Sequence, residues 1–294
     1  MWVSDNWDKK NYELLDASDG ERLEKWGRFT LIRPDPQIIW KGERNHPDWK
    51  KADGIYRRSK DGGGGWVKNR TDESWTIGYG ELKFLIKPMG FKHTGLFPEQ
   101  ATNWDWFSEL IRRAGRPIKV LNLFAYTGGA TVAAAKAGAS VCHVDAAKGM
   151  VAQAKENARL SGLSEAPIRY IVEDCKKFVE REIKRGNRYD GIIMDPPSYG
   201  RGPNGEVWKI EDSVDDFITL AANVLSDKPL FFLVNSYTTG LSPLAMKYIV
   251  NLRVKSRFGG VTNAGELGLP VTETGGVLPC GASARWQSEG AESK

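Results

Sequence analysis

Lys119-Val-Leu-Asn-Leu-Phe-Ala-Tyr-Thr-Gly-Gly-Ala130 is the stretch that decides the fold. Lys119 to Phe124 is a strand-sized apolar run. A Gly-containing turn follows at once, and the small residues Ala130 to Ala137 open a helix. Read outward, the alternation continues: strand Ser140 to Val144, helix Ala147 to Leu160, strand Arg169 to Val172, helix Lys176 to Lys184 and strand Tyr189 to Met194. A loop, a helix around Ser213 to Leu225, strand Leu230 to Val234 and helix Pro243 to Asn251 complete it. Continuous apolar strands separated by helices must be covered on both faces, which predicts an α/β fold around a parallel sheet. Leu267 to Trp286 reads as an antiparallel hairpin on the sheet edge, and Gln287 to Lys294 as a frayed polar tail.

Upstream the texture differs. Nine of the eleven tryptophans precede residue 107. Short β-rich runs are broken by Gly and Pro: Arg28 to Arg33, Gln37 to Trp40, Gly54 to Arg58, Gly65 to Lys68, Glu73 to Tyr79 and Glu81 to Lys87. The tract Asp61-Gly-Gly-Gly-Gly65 reads as a loop tip. The chain is therefore expected to divide into a β-rich region, residues 1–92, and an α/β domain, residues 93–294. Between Lys41 and Arg70, nine basic residues against four acidic ones are interleaved with Trp40, Trp49, Tyr56 and Trp66. That mixture suits phosphate contact and base stacking, or else a solvated β-surface over a small aromatic core.

Composition narrows the function classes. With 294 residues, 40% of them hydrophobic and 27% charged, the chain is globular rather than disordered. Three cysteines without a C-x-x-C pair exclude a disulfide scaffold and a zinc ribbon. The histidines His46, His93 and His143 share no metal-ligand spacing, so no metal is expected. No apolar run has the length of a membrane span. Met1-Trp-Val-Ser-Asp5 lacks the pattern of a signal peptide, and a cytoplasmic location is expected. The net charge of +5 is compatible with a polyanionic partner.

In open α/β sheets ligands bind beyond the carboxyl ends of the strands. After the first strand comes Phe124-Ala-Tyr-Thr-Gly-Gly-Ala130, which lacks the first glycine of G-x-G-x-x-G and so disfavours a nicotinamide dinucleotide. After the second stands Asp145, placed to accept hydrogen bonds from two ribose hydroxyls, and after the third Asp174, placed for the amino group of an adenine. Each alone is equally a helix N-cap. After the fourth comes Asp195-Pro-Pro-Ser-Tyr199. Its two prolines end the strand and hold Asp195 extended, and Tyr199 adds a flat π-face. Arg201, Trp208 and Lys209 follow in a loop placed to meet a substrate.

These motifs, together with Lys92-His-Thr-Gly-Leu-Phe-Pro-Glu-Gln100, resemble the class I S-adenosylmethionine-dependent methyltransferases, and within them the bacterial large-subunit (23S) ribosomal RNA methyltransferases. The resemblance runs from about Gly90 to Trp286. It implies a Rossmann-like seven-stranded methyltransferase sheet with an N-terminal β-rich extension, and S-adenosylmethionine as cofactor. By that resemblance Thr94, Phe97 and Pro98 close over the cofactor, and Phe124, Ala125, Tyr126, Thr127 and Gly128 hold its methionine part. Asp145 with Ala146 takes the ribose and Asp174 with Cys175 the adenine, while Asp195 lies beside the sulfonium. Asp195, Pro196, Pro197 and Tyr199 form the catalytic set, orienting a target amine and stacking on its base.

Carbon-5 methylation of a pyrimidine needs a cysteine nucleophile. In family members with that activity it follows the fifth strand, whereas here Leu233-Val-Asn-Ser-Tyr-Thr-Thr-Gly240 has none. The expected reaction is thus methyl transfer to a ring or exocyclic nitrogen of an RNA base, with ribosomal RNA as partner. Two alternatives stay open: a methyltransferase of protein side-chain amides or small molecules, and a non-catalytic RNA-binding protein that keeps the fold.

Overall fold

In the computed structural model, which describes residues 1–59, 63–201 and 207–289, the chain begins with a two-residue strand, β1 (Trp2–Val3). A hairpin of β2 (Tyr12–Ser18) and β3 (Glu21–Trp26) follows. Its turn is Asp19-Gly20, both at positive φ, 50° and 75°, the geometry that matches strand twist in a two-residue hairpin loop. β4 (Phe29–Pro34), a one-turn helix α1 (Asp48–Lys51), β5 (Gly54–Arg58) and β6 (Gly64–Asn69) complete a five-stranded sheet in the order β2-β3-β4-β5-β6. β7 (Trp75–Tyr79) and β8 (Leu82–Ile86) form a separate hairpin. Leu15, Leu23, Ile32, Trp49 and Ala52 pack into a small core here.

Beside that core runs a buried ionic network. Glu24 is 0% exposed. It accepts hydrogen bonds from Arg33 Nε at 2.7 Å and Nη2 at 2.8 Å, and from the Tyr12 hydroxyl at 2.9 Å. Burial alone would raise its pKa, but Arg33 and Arg22 outweigh that and hold it at about 2. The expected strand Gln37 to Trp40 is not one. Asp35 Oδ1 accepts the Gln37 N–H at 3.1 Å in a turn flanked by Pro34 and Pro36, which takes the chain out of any ladder.

Helix α2 (Ala101–Arg113) leads into the α/β part: β9 (Lys119–Leu123), α3 (Gly129–Lys136), β10 (Ser140–Asp145), α4 (Lys148–Leu160), β11 (Ile168–Val172), α5 (Cys175–Arg185) and β12 (Gly191–Met194). A short hairpin of β13 (Tyr199–Arg201) and β14 (Val207–Lys209) comes next, then α6 (Ile210–Ala222), β15 (Phe231–Ser236) and α7 (Pro243–Val250). A turn of π-helix (Asn251–Lys255) and α8 (Ser256–Phe258) precede the last hairpin, β16 (Val261–Pro270) and β17 (Val277–Gln287).

The main sheet has the order β1-β16-β17-β15-β12-β9-β10-β11. Its seven longer strands are those of the Rossmann-like sheet expected, and β1 adds a short eighth by pairing with Leu267 and Gly268 of β16. β15, β12, β9, β10 and β11 are mutually parallel, while β17 pairs antiparallel with β15. The chain runs outward from β9 through β10 to β11, then resumes on the other side of β9 with β12. This reversal makes the carboxyl ends of β9 and β12 the crevice-forming point of the sheet. Leu121, Leu123, Val144, Ile192, Met194, Phe232 and Val234 pack there against Phe178, Val179, Val214, Phe217 and Ile218 of α5 and α6.

By compactness the described chain forms two units: Trp2–Thr102 with Leu267–Cys280, and Met1 with Asn103–Glu266 and Gly281–Lys294. Asp61 and Gly62 of the expected loop tip, and residues 290–294 of the expected tail, lie outside the described residues, as does the side chain of Arg201. No helix among the described residues is long and apolar enough to cross a membrane.

Candidate functional site

The turn after β9 is built on left-handed backbone. Phe124 and Tyr126 have φ of 53° and 50°, and Gly128 has 80°. A side chain with a Cβ pays about 1–2 kcal/mol for this conformation, so something must hold it. The Phe124 N–H donates to Cys175 Sγ at 3.2 Å, the Ala125 N–H to the Val144 carbonyl at 3.0 Å, and the Tyr126 N–H to Asp145 Oδ2 at 2.8 Å. The Asn157 amide donates to the Thr127 carbonyl at 2.8 Å. At Gly128 a Cβ would stand 2.8 Å from the Ala154 Cβ, so only glycine lets α3 and α4 meet the turn this closely. The turn thus spends the N–H groups of Phe124, Ala125 and Tyr126 on its own shape.

Asp145 ends β10, half-buried, and its second oxygen accepts the Ala147 N–H at 2.8 Å. Each carboxylate oxygen keeps a lone pair beyond the bond it makes. Ala146 is exposed beside it. Asp174 caps α5 through Oδ1, which accepts from Lys177 N–H at 2.9 Å, and is exposed to solvent. Cys175, the first residue of that helix, is buried. Its Sγ also faces the Val144 carbonyl at 3.8 Å, and burial pushes its thiol pKa up. Cys175 therefore supports the turn from behind.

Asp195 leaves β12 next to Asn235 at the end of β15, because Met194 is paired with Val234. Pro196 is buried, Pro197 exposed, and Tyr199 is 51% exposed on β13. Trp208, expected in a loop facing substrate, instead lies on β14 with its ring against Phe124 and Phe217, at centroid distances of 5.8 and 5.7 Å. Its indole N–H donates to the Pro197 carbonyl at 2.6 Å.

Phe124 to Gly128, Asp145, Ala146, Asp174, Asp195, Pro196 and Pro197 thus stand at the carboxyl ends of strands of one sheet, with Cys175 buried behind the turn and Tyr199 on the separate β13–β14 hairpin. Thr94, Phe97 and Pro98 belong to the other unit. There the Thr94 carbonyl accepts from the Lys87 N–H at 3.0 Å, Pro98 opens a 3-10 turn, and the Phe97 ring lies 5.1 Å from that of His93. Burial and the nearby Arg33 and Lys92 hold His93 down at about 3.

Two buried polar clusters were not legible in the sequence. Under the turn, the Asn122 amide donates to Thr131 Oγ1 at 2.9 Å, and Thr131 Oγ1 lies 2.9 Å from His143 Nδ1. Burial lowers His143 to about 3. Beside the end of β15, the Asn103 amide donates to Asn235 Oδ1 at 3.1 Å and Ser283 Oγ at 3.0 Å, while Arg285 Nε donates to Asn103 Oδ1 at 2.7 Å. Buried side chains with unlike partners on distant elements leave no periodic trace.

Three aspartates, Asp145, Asp174 and Asp195, stand at the carboxyl ends of β10, β11 and β12. They are a set of acceptors, suited to a cofactor whose polar groups are hydroxyls, amines and a positive centre. No group of three or more His, Cys, Asp or Glu among the described residues is arranged to hold a metal.

Residues 46–208, more than half of the chain, match the family described as S-adenosylmethionine-dependent methyltransferase. The crystal structure of a SAM-dependent methyltransferase from Agrobacterium tumefaciens superimposes with a TM-score of 0.89 at 37% identity, over 98% of this chain and 93% of that one. A Streptococcus mutans structure described as a SAM-dependent methyltransferase shares the fold, with a TM-score of 0.72 at 19% identity, over 95% of this chain and 76% of that one. The ribosomal RNA large subunit methyltransferase K/L of Syntrophotalea carbinolica is 31% identical over 184 residues, 62% of this chain and 25% of that protein. Its counterpart in Shewanella baltica is 33% identical over 163 residues, 54% of this chain and 21% of that protein. The chain spans a quarter or less of the length of these curated relatives.

Proposed function

The chain belongs to the S-adenosylmethionine-dependent methyltransferase family, and from that premise we propose that it methylates a ring or exocyclic nitrogen of an RNA base, in ribosomal RNA of the cytoplasm. The observation that carries the choice of nitrogen is Asp195-Pro-Pro-Ser-Tyr199 at the switch point of the sheet, with no reactive thiol to serve carbon chemistry. All three cysteines are buried. Burial pushes Cys142 to about 11 and raises Cys175 and Cys280 as well, so none supplies a thiolate.

The cofactor fits the chemistry of these strand ends, because its ribose hydroxyls, adenine amine and ammonium are all donors and the strand ends carry acceptors. Asp145 would take the ribose hydroxyls on its remaining lone pairs, and Asp174 the adenine amine. The carbonyl-bearing turn from Phe124 to Gly128 would take the ammonium. When bound, S-adenosylmethionine supplies a methyl group on a positively charged sulfur. Asp195 and the Pro196 carbonyl would accept the N–H bonds of the target amine, turning its lone pair out of conjugation and holding it in line. Asp195 then takes the proton that the methylated nitrogen sheds. Tyr199 gives the extruded base a flat surface. The relatives named for ribosomal RNA support that substrate, and the exposed Arg57, Arg58 and Arg70 of the other unit are proposed to contact its phosphates.

The test is label transfer from methyl-labelled S-adenosylmethionine to ribosomal RNA, transfer RNA and protein from cells lacking this chain. N-methylated nucleosides in ribosomal RNA are expected, and Asp195→Ala should abolish them while leaving the fold intact. Label confined to protein, or a C5-methylated pyrimidine, would overturn the substrate or the chemistry respectively.

A further inference from the structure

The β13–β14 hairpin begins two residues after Pro197 and has two unlike faces. Tyr199 pairs with Lys209, and Gly200 with Trp208. Tyr199, Val207 and Lys209 are exposed. Trp208 is half-buried on the opposite face, and its ring meets two other rings at once. Phe124 lies at 5.8 Å and Phe217 of α6 at 5.7 Å, and these two are 5.2 Å from each other. The same indole donates its only proton to the Pro197 carbonyl, eleven residues back, at 2.6 Å. The Ile210 N–H closes the loop by donating to the Ser198 carbonyl at 3.1 Å.

One side chain therefore touches both halves of the site. Its ring lies on Phe124, the first residue of the turn after β9, whose backbone is left-handed and whose N–H is held by Cys175. Its N–H lies on the loop that carries Asp195. A tryptophan packed inward in this way is not a platform for a substrate base. The exposed Tyr199 fills that place.

We infer that Trp208 is a positioning residue that fixes the Asp195-Pro-Pro-Ser-Tyr199 loop against the turn at Phe124, so that acceptor and cofactor are held in line. The inference rests on the proposed reading of those two segments as acceptor and cofactor sites. Rings of proline leave the loop few torsions of its own, and pinning the Pro197 carbonyl removes much of the remaining freedom. Methyl transfer depends on alignment, and a displacement of about 1 Å at the reacting atoms costs about a hundredfold in rate.

Trp208→Phe keeps an aromatic ring and deletes the N–H. In the full-length chain, with unmethylated ribosomal RNA and labelled S-adenosylmethionine as probes, kcat should fall by about tenfold or more. The KM for RNA and the calorimetric Kd for S-adenosylmethionine should stay as in the unsubstituted protein, a split that simple loss of stability does not give. A raised KM for RNA at unchanged kcat would mean that Trp208 stacks on substrate, and unchanged kinetics would remove its role; either overturns the inference. A second readout needs no RNA. In 15N-labelled protein the Trp208 indole resonance, assigned by its absence in Trp208→Phe, should shift when S-adenosylmethionine is added. An indole indifferent to the cofactor overturns the inference. A wild-type chain that labels no RNA refutes the proposed substrate instead, and the indole readout still decides the role of Trp208.

Discussion

Asp145 does two jobs with one carboxylate. It accepts the N–H groups of Tyr126 and Ala147 at 2.8 Å each, and by the proposed reading its remaining lone pairs meet the ribose. Asp145→Ala removes both. Each hydrogen bond to a charged group contributes about 1.5–3 kcal/mol, so the Kd for S-adenosylmethionine should rise by about a hundredfold, read by calorimetry. Asp145→Asn, which keeps one acceptor oxygen, should retain part of the affinity. Unchanged binding in the alanine variant would place the ribose elsewhere. His143 offers a prediction in pH. Its ring is fully buried and stays neutral until about pH 3, whereas an exposed histidine protonates near 6.5. Between those values the unfolded chain carries a proton that the folded chain does not, so stability falls as pH drops below 6.5. The loss attributable to His143 is about 2 kcal/mol by pH 5. Urea midpoints at the two ends of that window should show it. His143→Asn, which can still accept from Thr131, should flatten the slope by one histidine's share. An equal slope in the variant would show that His143 does not titrate as its burial requires.

Elements were legible where burial follows a period. The strands and helices from Lys119 to Val250 lie within a few residues of the positions that their apolar runs indicate, because a sheet covered on both faces writes itself as continuous hydrophobic stretches. The β2–β3 hairpin leaves no such period, although its Asp19-Gly20 turn is a strong local signal. Glu24 and Arg22 on β3 are buried with Arg33 of β4 as an ionic network. Charged letters at core positions erase the alternation that marks a strand. Asp145, Asp174 and Asp195 could be picked out because strand ends are positions in a sequence. The supports from Cys175, Asn157 and Trp208 could not, since each depends on which distant element arrives beside the turn. The same holds for Asn103 on α2, which ties that helix to β15 through Asn235 and to β17 through Ser283, and accepts from the buried Arg285. Burial has already lowered Arg285 to about 9. Asn103→Ala strands one buried charge-assisted donor and two acceptor sites, and should cost about 2–4 kcal/mol in chemical denaturation. A loss below about 0.5 kcal/mol, the scale of an ordinary surface change, would mean that water replaces the amide.

At the scale of the whole molecule, the net charge of +5 is too small to bind RNA by itself, so the distribution of charge matters more. Of the aromatic residues interleaved with basic ones in the N-terminal unit, Trp49 and Tyr56 are buried. The indole N–H of Trp66 is spent on the Met89 carbonyl at 2.8 Å, and that of Trp40 on the Ala17 carbonyl at 2.8 Å. Trp49 and Tyr56 serve the fold and Trp40 alone of the four is exposed, so the proposed contact of this unit with RNA is argued mainly from charge. That gives it a thermodynamic signature. Binding through phosphates releases counterions, and log K falls linearly with log salt, by about 0.7 per contact on single-stranded RNA. Arg58 and Arg70 are exposed on β5 and just beyond β6. Replacing both with Ala should weaken binding to unmethylated ribosomal RNA and reduce the salt slope by about 1.4. Calorimetric affinity for S-adenosylmethionine should stay unchanged. A weaker affinity with the slope intact would mean that the arginines act through something other than phosphate. An unaltered affinity would locate the RNA-binding charge outside this unit, and the basic stretch of Lys247 on α7 with Arg253, Lys255 and Arg257 after it would be the next to neutralise.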